Sequence, residues 1–430
     1  MSGALPSRLL YAYYGDDFTG STDVLEALAL HGMPAVLFTS VPTAAELAAF
    51  PHCRAIGIAG ESRSRSPRWM DAHLPPIFTR MRALDAAVNH YKVCSTFDSS
   101  PQTGSIGHAM ELGRKAFRTP FVPIVVGAPH LGRAVVFGNL FAEANGAMVR
   151  IDRHPTMLHH PVTPMHEADL RLHLARQTRL NIGLVDLRAF DCGLATEQLQ
   201  AELASRAEAV LFDGINDSML DQTADLLCDF AARKPIFAVG SSGLTYGLLR
   251  QWRRAGLVPR RVRLAAAQPA DRILVLSGSC SPVTAAQIRH ARRDGFAAWP
   301  LGKPDTWPLR RQQALKALGE GRSVALYTSL GPLPAKTQAS DALPVALGHL
   351  LREIVIRSGV RRIILAGGDT STHAVPQLSL RALTFAAALT PGAPLCRGHA
   401  PGSPLDGLEL VLKGGQIGPE NFFSAVRNGA

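Results

Sequence analysis

Several familiar chemistries are missing from this sequence, and each absence narrows its reading. The six cysteines, Cys53, Cys94, Cys192, Cys228, Cys280 and Cys396, form no CxxC pair and no regular framework. That argues against a disulfide scaffold and for a reduced chain. No apolar run reaches the ~18 residues a membrane helix needs, and the first residues lack the basic, apolar and small-residue order of an export signal. A cytoplasmic protein with no membrane partner is expected. Neither GxxxxGK[ST], GxGxxG nor HExxH occurs, so the P-loop, dinucleotide and zinc-protease readings lose their usual signatures. Aromatic residues make up only 6% of a chain whose net charge is +11. The basic clusters Arg260, Arg261, Arg263 and Arg361, Arg362 precede apolar runs without interleaved aromatics, so they read as solvated faces and not as a nucleic-acid groove.

What is present is a long apolar chain that should fold throughout. With 430 residues, 47% of them hydrophobic and 18% charged, it exceeds what one core usually organises, and two domains are expected. Short β-branched or apolar runs alternate with helix-like stretches, the pattern of a parallel sheet covered by helices. Strands are expected over 9–14, 35–39, 55–59, 87–93, 122–126, 181–185, 209–213 and 236–239, with a helix over 21–31 stopped by Gly32. The segment 256–270 is rich in proline, arginine and small residues and reads as a linker. Strands resume over 272–276, 323–327, 362–366 and 408–412. The expected fold is therefore α/β: domains over 1–255 and 271–430, each a largely parallel sheet flanked by helices.

Ligands of such sheets bind where strands end and helices begin. The first candidate is GDDFTGSTD, where Asp16 and Asp17 directly follow the first strand and can present a carboxylate to a hydroxyl. The same residues also suit a turn and helix cap. Further along, SGSCSPVT puts Gly278, Ser279 and Ser281 ahead of a helix opened by Pro282, an anion site made of amides and the positive helix end. AGGDTS repeats the arrangement with Gly367, Gly368, Asp369 and Thr370; adjacent glycines admit a phosphate, and Asp369 can hold a nucleotide-bound Mg²⁺ directly or through water. LKGGQIG sets Lys413 before Gly414 and Gly415, a third such turn. Pro376 should kink or restart its helix. In the first half, Arg63, Lys92, Ser95, Thr96, His130 and Arg133 lie at strand ends, and Arg63 and Lys92 are the candidates for binding a carboxylate, although such residues are more often surface charges. The histidine-rich HPTMLHHPVTPMH carries His154, His159, His160 and His166. It lacks any zinc spacing, so no metal site is expected there. His166, at the start of a predicted helix, is the one chosen to meet an anionic ligand.

DDFTG, KxxST, SGSCS, AGGDTS and PLDGLxxxLKxG occur in that order over nearly the whole chain. In this the sequence resembles the four-carbon acid sugar kinase family, whose N-terminal domain binds a sugar acid and whose C-terminal domain binds a nucleotide. The resemblance implies that ATP meets Ser279, the 367–370 turn and Gly414–Gly415, and the turn that holds Ser281 adds that residue to the site for ATP and its Mg²⁺. For the base, Asp17 is the first choice with Asp16 second; the resemblance puts Asp16, Asp17, Arg63, Lys92, Ser95 and Thr96 on the substrate side of an interdomain cleft, to which the strand-end and histidine-rich readings add Arg133 and His166. The substrate class it implies is threonate, erythronate, 3-oxo-tetronate or a relative such as 4-hydroxythreonine. One departure stands out: many members carry Asp-Ser-Thr or Asp-Ser-Ala followed by Leu-Arg-Gly, where this chain runs Cys94, Ser95, Thr96, Phe97, Asp98, which leaves the identity of the acid open. A nicotinamide-dependent dehydrogenase and a non-catalytic sugar-acid-binding protein are the alternatives. The partner expected is a small molecule, with a homodimer the one assembly left room for.

Overall fold

Uniformly buried strands such as YAYYG and RIILA have no solvated face, so they must lie inside a sheet covered on both sides. The computed structural model describes residues 9–144, 146–160, 162–331 and 342–430. Residues 1–8 of the expected first domain and Pro161 of the histidine-rich segment lie outside that range. Along the chain the strands are β1 Tyr11–Gly15, β2 Ala35–Phe38, β3 Ala55–Ala59, β4 Val88–Lys92, β5 Val122–Val125, β6 Arg133–Val136, β7 Asn139–Ala144, β8 Ala147–Arg150 and β9 Ile182–Val185. They continue with β10 Ala209–Phe212, β11 Ile236–Gly240, β12 Leu274–Ser277, β13 Ala297–Pro300, β14 Val324–Tyr327, β15 Arg362–Ala366, β16 Ala382–Thr390, β17 Ala393–His399 and β18 Glu409–Lys413.

Both expected parallel sheets are present, but they are joined into one, in the order β13-β14-β12-β15-β18-β17-β16-β2-β3-β1-β4-β11-β5-β10-β9. The join is antiparallel, pairing Ala382 with Phe38 and Leu383 with Leu37. The hairpin β16–β17 supplies it, and that hairpin escaped the sequence reading because it interrupts the strand-helix alternation on which the reading rested. The antiparallel meander β6-β7-β8 and the edge strand β13 escaped it too. Between the helix ending at Arg254 and β12 there is no helix or strand. Pro376 falls where the helix Gly368–Ala374 gives way to a 3-10 turn, since its ring and missing N–H cannot continue an α-helix.

The helix Phe18–Leu30 joins the two halves. Its Val24, Leu25 and Leu28 are buried in a core cluster that takes in residues of both halves, and it packs against β16, β17, β18 and the helix Gly368–Ala374. Packing elsewhere is equally close. On the helix Ile106–Phe117, a Cβ at Gly113 would lie 2.1 Å from the Phe237 ring, which stacks on Phe117 at 5.0 Å between centroids.

Gly113→Ala would ordinarily stabilise a helix by about 1 kcal/mol, but overpacking this ring should cost about 1–3 kcal/mol. The expected result in thermal unfolding is a Tm a few degrees below that of the parent; a higher Tm would show that the Phe237 ring yields freely.

Candidate functional site

Asp17 is the N-cap of the helix Phe18–Leu30. Its Oδ1 accepts the Gly20 amide at 2.5 Å and the Thr19 hydroxyl at 3.0 Å. Its Oδ2 accepts Arg63 Nη1 at 2.7 Å. The other end of that guanidinium, Nη2, reaches both oxygens of Asp98 at 3.0 and 3.1 Å. Asp98 also accepts the hydroxyls of Thr96 at 2.5 Å and Thr163 at 2.9 Å. The loop that delivers it turns through Phe97, a fully buried residue at φ 56°. A non-glycine residue in that left-handed region is strained by roughly 1–2 kcal/mol, and the buried ring and the Asp98 contacts hold it there.

These contacts set two adjacent carboxylates apart. Burial works to raise the pKa of Asp17, but Arg63, Lys92 and the Gly20 amide outweigh it and hold Asp17 below the usual carboxylate range. Asp98 is also held low: burial is overcome chiefly by Arg63, with help from His160 and the two threonine hydroxyls. Asp16 makes no such hydrogen bond among the described residues, and Arg63 and Lys92 act on it only through their charge, too weakly to hold it down. Burial, reinforced by the Asp17 charge, pushes it up to about 8, and its Oδ1 is buried with no hydrogen-bond partner among the described residues.

Of the other residues expected on this side, Lys92 is buried, donating to the Val93 carbonyl at 2.9 Å and lying 3.8 Å from Asp23. Ser95 is buried beside it in the chain. Arg133 gives Nη1 to the carbonyls of Leu131 and Gly132. Its Nε is buried with no partner among the described residues, and it lies within electrostatic reach of Cys94. His166 is exposed and is not brought to this cluster. From the same segment His160 is: its Nδ1 accepts the Thr163 amide at 3.0 Å. Burial lowers its pKa against the opposing pull of Asp98, and Asp369 of the second half acts on it as well. The helix expected after His166 starts at Leu170, capped by Asp169.

In the second half, β12, β15 and β18 are register neighbours, with Ser277 paired to Ala366 and Ala366 to Lys413. Their three glycine turns therefore leave the same sheet edge. Gly367 has φ +120°, a conformation that favours glycine, and a Cβ there would meet Thr370 Oγ1 at 3.0 Å and Ser279 N at 3.3 Å. A Cβ on Gly278 would strike Thr370 Oγ1 at 2.1 Å, and one on Gly415 would meet Ser279 Oγ at 2.7 Å. Ser279, Gly367, Thr370 and Gly415 thus form one small-residue floor. Ser281 caps the helix Pro282–Arg293 by accepting the Val283 amide at 3.2 Å. Asp369 is exposed at the start of the helix Gly368–Ala374.

The two clusters face one another. The Phe18 amide donates to Thr372 Oγ1 at 3.4 Å, a Cβ on Gly368 would come within 3.9 Å of Thr19 Oγ1, and His373 Nδ1 stands 3.6 Å from Glu61 Oε2. Asp98 and His160 were missed at the sequence level. Asp98 had a signal, since it follows β4 in the same loop as Ser95 and Thr96. His160 had none that ranked it above its three histidine neighbours. Among the described residues no group of three or more His, Cys, Asp or Glu side chains is placed to hold a metal ion, and no helix is long and apolar enough to cross a membrane.

The chain matches two family models: a sugar-binding N-terminal domain over residues 11–248 and a nucleotide-binding C-terminal domain over residues 274–423. It is 43% identical to a 3-oxo-isoapionate kinase of Paraburkholderia graminis, covering 99% of this chain and 96% of that one. A 3-oxo-tetronate kinase of Pseudomonas fluorescens is 32% identical (97% and 96% covered) and one of Cupriavidus necator 30% (98% and 97%). Among solved structures, a Salmonella typhimurium LT2 protein described as a tRNA synthase superposes with TM-score 0.78 at 25% identity, covering 97% of this chain and 99% of that one. A Haemophilus influenzae protein, with TM-score 0.69, 23% identity and the same coverage, shares the fold.

Asp98→Asn should destabilise the protein by about 2 kcal/mol at pH 7, because it strips a partly buried arginine of its main counterion. The folded pKa of Asp98 is depressed, so its contribution is present above the unfolded value of about 4 and is lost as pH falls. Denaturant titrations should therefore show the gap between variant and parent closing below about pH 4; a gap that does not change with pH would mean that the ion pair is not its source.

Proposed function

The chain belongs to the four-carbon acid sugar kinase family, built of a sugar-binding N-terminal and a nucleotide-binding C-terminal domain, and from that premise we propose that it transfers the γ-phosphoryl of Mg-ATP to a hydroxyl of a 3-oxo sugar acid. The 43% relative acts on 3-oxo-isoapionate, whereas the relatives near 30% act on 3-oxo-tetronate, so 3-oxo-isoapionate is the first substrate to try. One observation supports the reading above others: the carboxylates after β1 open onto the glycine turn after β15, with Thr19 beside Gly368. Acceptor and phosphoryl donor would meet in that gap.

Phosphoryl transfer asks mainly for positioning and charge stabilisation. The glycine floor and the amides of the helix start at Gly368 suit the phosphates. The exposed carboxylate of Asp369 is an oxygen donor of the kind a nucleotide-bound Mg²⁺ accepts. We assign the base to Asp16. Asp17, the first choice at the sequence level, is engaged as helix cap and as counterion of Arg63. Asp16 has an unpartnered oxygen and a proton affinity suited to exchange near neutral pH. The substrate hydroxyl gives its proton to Asp16 as the new O–P bond forms and the bond to the β-phosphate breaks, leaving ADP. For the substrate carboxylate the reading favours Arg133, whose guanidinium keeps an unpaired Nε, over Arg63 and Lys92, which are already engaged. ATP is plentiful in the cytoplasm, which is where we place the protein.

ADP formation from Mg-ATP should depend on a 3-oxo acid, with 3-oxo-isoapionate preferred over 3-oxo-tetronate, the threonates and the erythronates. ATP binding with no turnover on any of them would overturn the substrate reading and leave the nucleotide reading standing. At saturating Mg-ATP, kcat/KM for the acid should rise with pH through an apparent pKa near 8, because Asp16 accepts a proton only when ionised. Asp16→Asn should remove that limb and lower kcat by roughly 10²–10⁴-fold, whereas near-parental turnover by this variant would exclude Asp16 as the base.

A further inference from the structure

Lys413 ends β18 and is completely buried, yet among the described residues no carboxylate pairs with it. Its Nζ faces three oxygens: Thr284 Oγ1 at 3.0 Å, Gly414 O at 2.9 Å and Gly415 O at 3.5 Å. The Thr284 hydroxyl spends its own hydrogen on Gly415 O at 2.8 Å, so its oxygen can only accept from Nζ. Three acceptors match the three hydrogens of an ammonium; a neutral amine would have only two hydrogens to give and would leave its own lone pair without a donor. Burial pulls the other way. An ammonium without a counterion is disfavoured by that burial, and the face of the Phe422 ring, 5.9 Å from Nζ, offsets it only weakly. The loop that follows is secured independently, because Gln287 Nε2 donates to the carbonyls of Ile417, Gly418 and Pro419. The lysine is therefore not needed merely to fasten it.

We propose that Lys413 supplies, from beneath the Gly414–Gly415 turn, the positive charge that answers the nucleotide's phosphates, and that it takes up a proton when nucleotide binds. This rests on the reading of the glycine turns as the nucleotide site. A chain with no P-loop lysine still has to neutralise a polyphosphate, and Gly415 lies against Ser279 in the floor on which the phosphates would rest. Burial brings the amine down to about 7, so at pH 8 it is mostly neutral. A nearby polyanion restores the charge.

The test is calorimetric titration of Mg-ADP into the full chain at pH 8, where the nucleotide's own phosphates are ionised, in buffers of different ionisation enthalpy. The parent should take up close to one proton per nucleotide, roughly 0.9 for a group moved from a pKa near 7 to well above 8. Lys413→Met and Lys413→Gln should each lose that uptake and weaken Mg-ADP by at least about tenfold. Glutamine keeps a hydrogen-bond donor for the carbonyls, so parental affinity in a folded Lys413→Gln protein would overturn the charge role. If neither variant folds, the parent still decides: nucleotide binding without buffer-dependent proton uptake overturns the proposal. Gly415→Val separates the two readings. Binding that this variant abolishes, without proton uptake in the parent, defeats the role of Lys413 alone, whereas no nucleotide binding by the parent defeats both.

Discussion

Helix Phe18–Leu30 has eight of its thirteen residues buried, more than a surface helix with a single apolar stripe would show. It is buried because both halves of the molecule pack on it, the first through β2 and β3 and the second through β16–β18 and the helix Gly368–Ala374. Its first turn cannot move without moving the neighbours of both clusters. The Phe18 contact with Thr372 and the Glu26 carboxylate that accepts the Gly392 amide at 2.7 Å pin it to the second half at both ends. Its N-cap, Asp17, is consequently presented to a gap whose far wall is the glycine turn after β15. The fused sheet serves the same end, since the β2–β16 pairing sets the two parallel sheets in one register relative to this helix.

Within that frame, a few charges divide the labour. Arg63 is shared between Asp17 and Asp98, and sharing it holds both carboxylates ionised and in place. Asp16, one residue away, hydrogen-bonds to neither the arginine nor a helix amide, and burial beside an ionised neighbour outweighs the pull of Arg63 and Lys92 and raises it instead. Two chemically identical side chains in sequence thus acquire opposite proton affinities from their surroundings. The second half contrasts with this. Its floor is made of glycine and hydroxyl residues packed closely enough that a single Cβ would intrude, and Lys413, a buried lysine with no carboxylate partner among the described residues, lies below the floor. In the first-half cluster charge is paired and fixes position; beneath the second-half floor a lysine is held without a counterion among the described residues, and burial lowers its proton affinity.

The sequence alone determined the strand-helix alternation, the ends of most strands to within two residues, and the presence of small, hydroxylated turns at those ends. All of these follow from local patterning: β-branched runs form strands, glycine and serine punctuate them, and Asp or Ser caps the next helix. It also pointed to the family, because five motifs recur in order. Which residues share a site was decided only by the tertiary structure. Asp98 pairs with Arg63 across a separation of 35 residues, His160 rather than His166 approaches the cluster, and Asp17 turns out to be engaged where Asp16 is not. None of this is written in a local window, since proton affinity depends on burial and on partners that the fold brings from distant strands. The antiparallel hairpin that fuses the two sheets was illegible for the same reason: its pairing with β2 joins residues more than three hundred positions apart, and only long-range packing chooses such a partner.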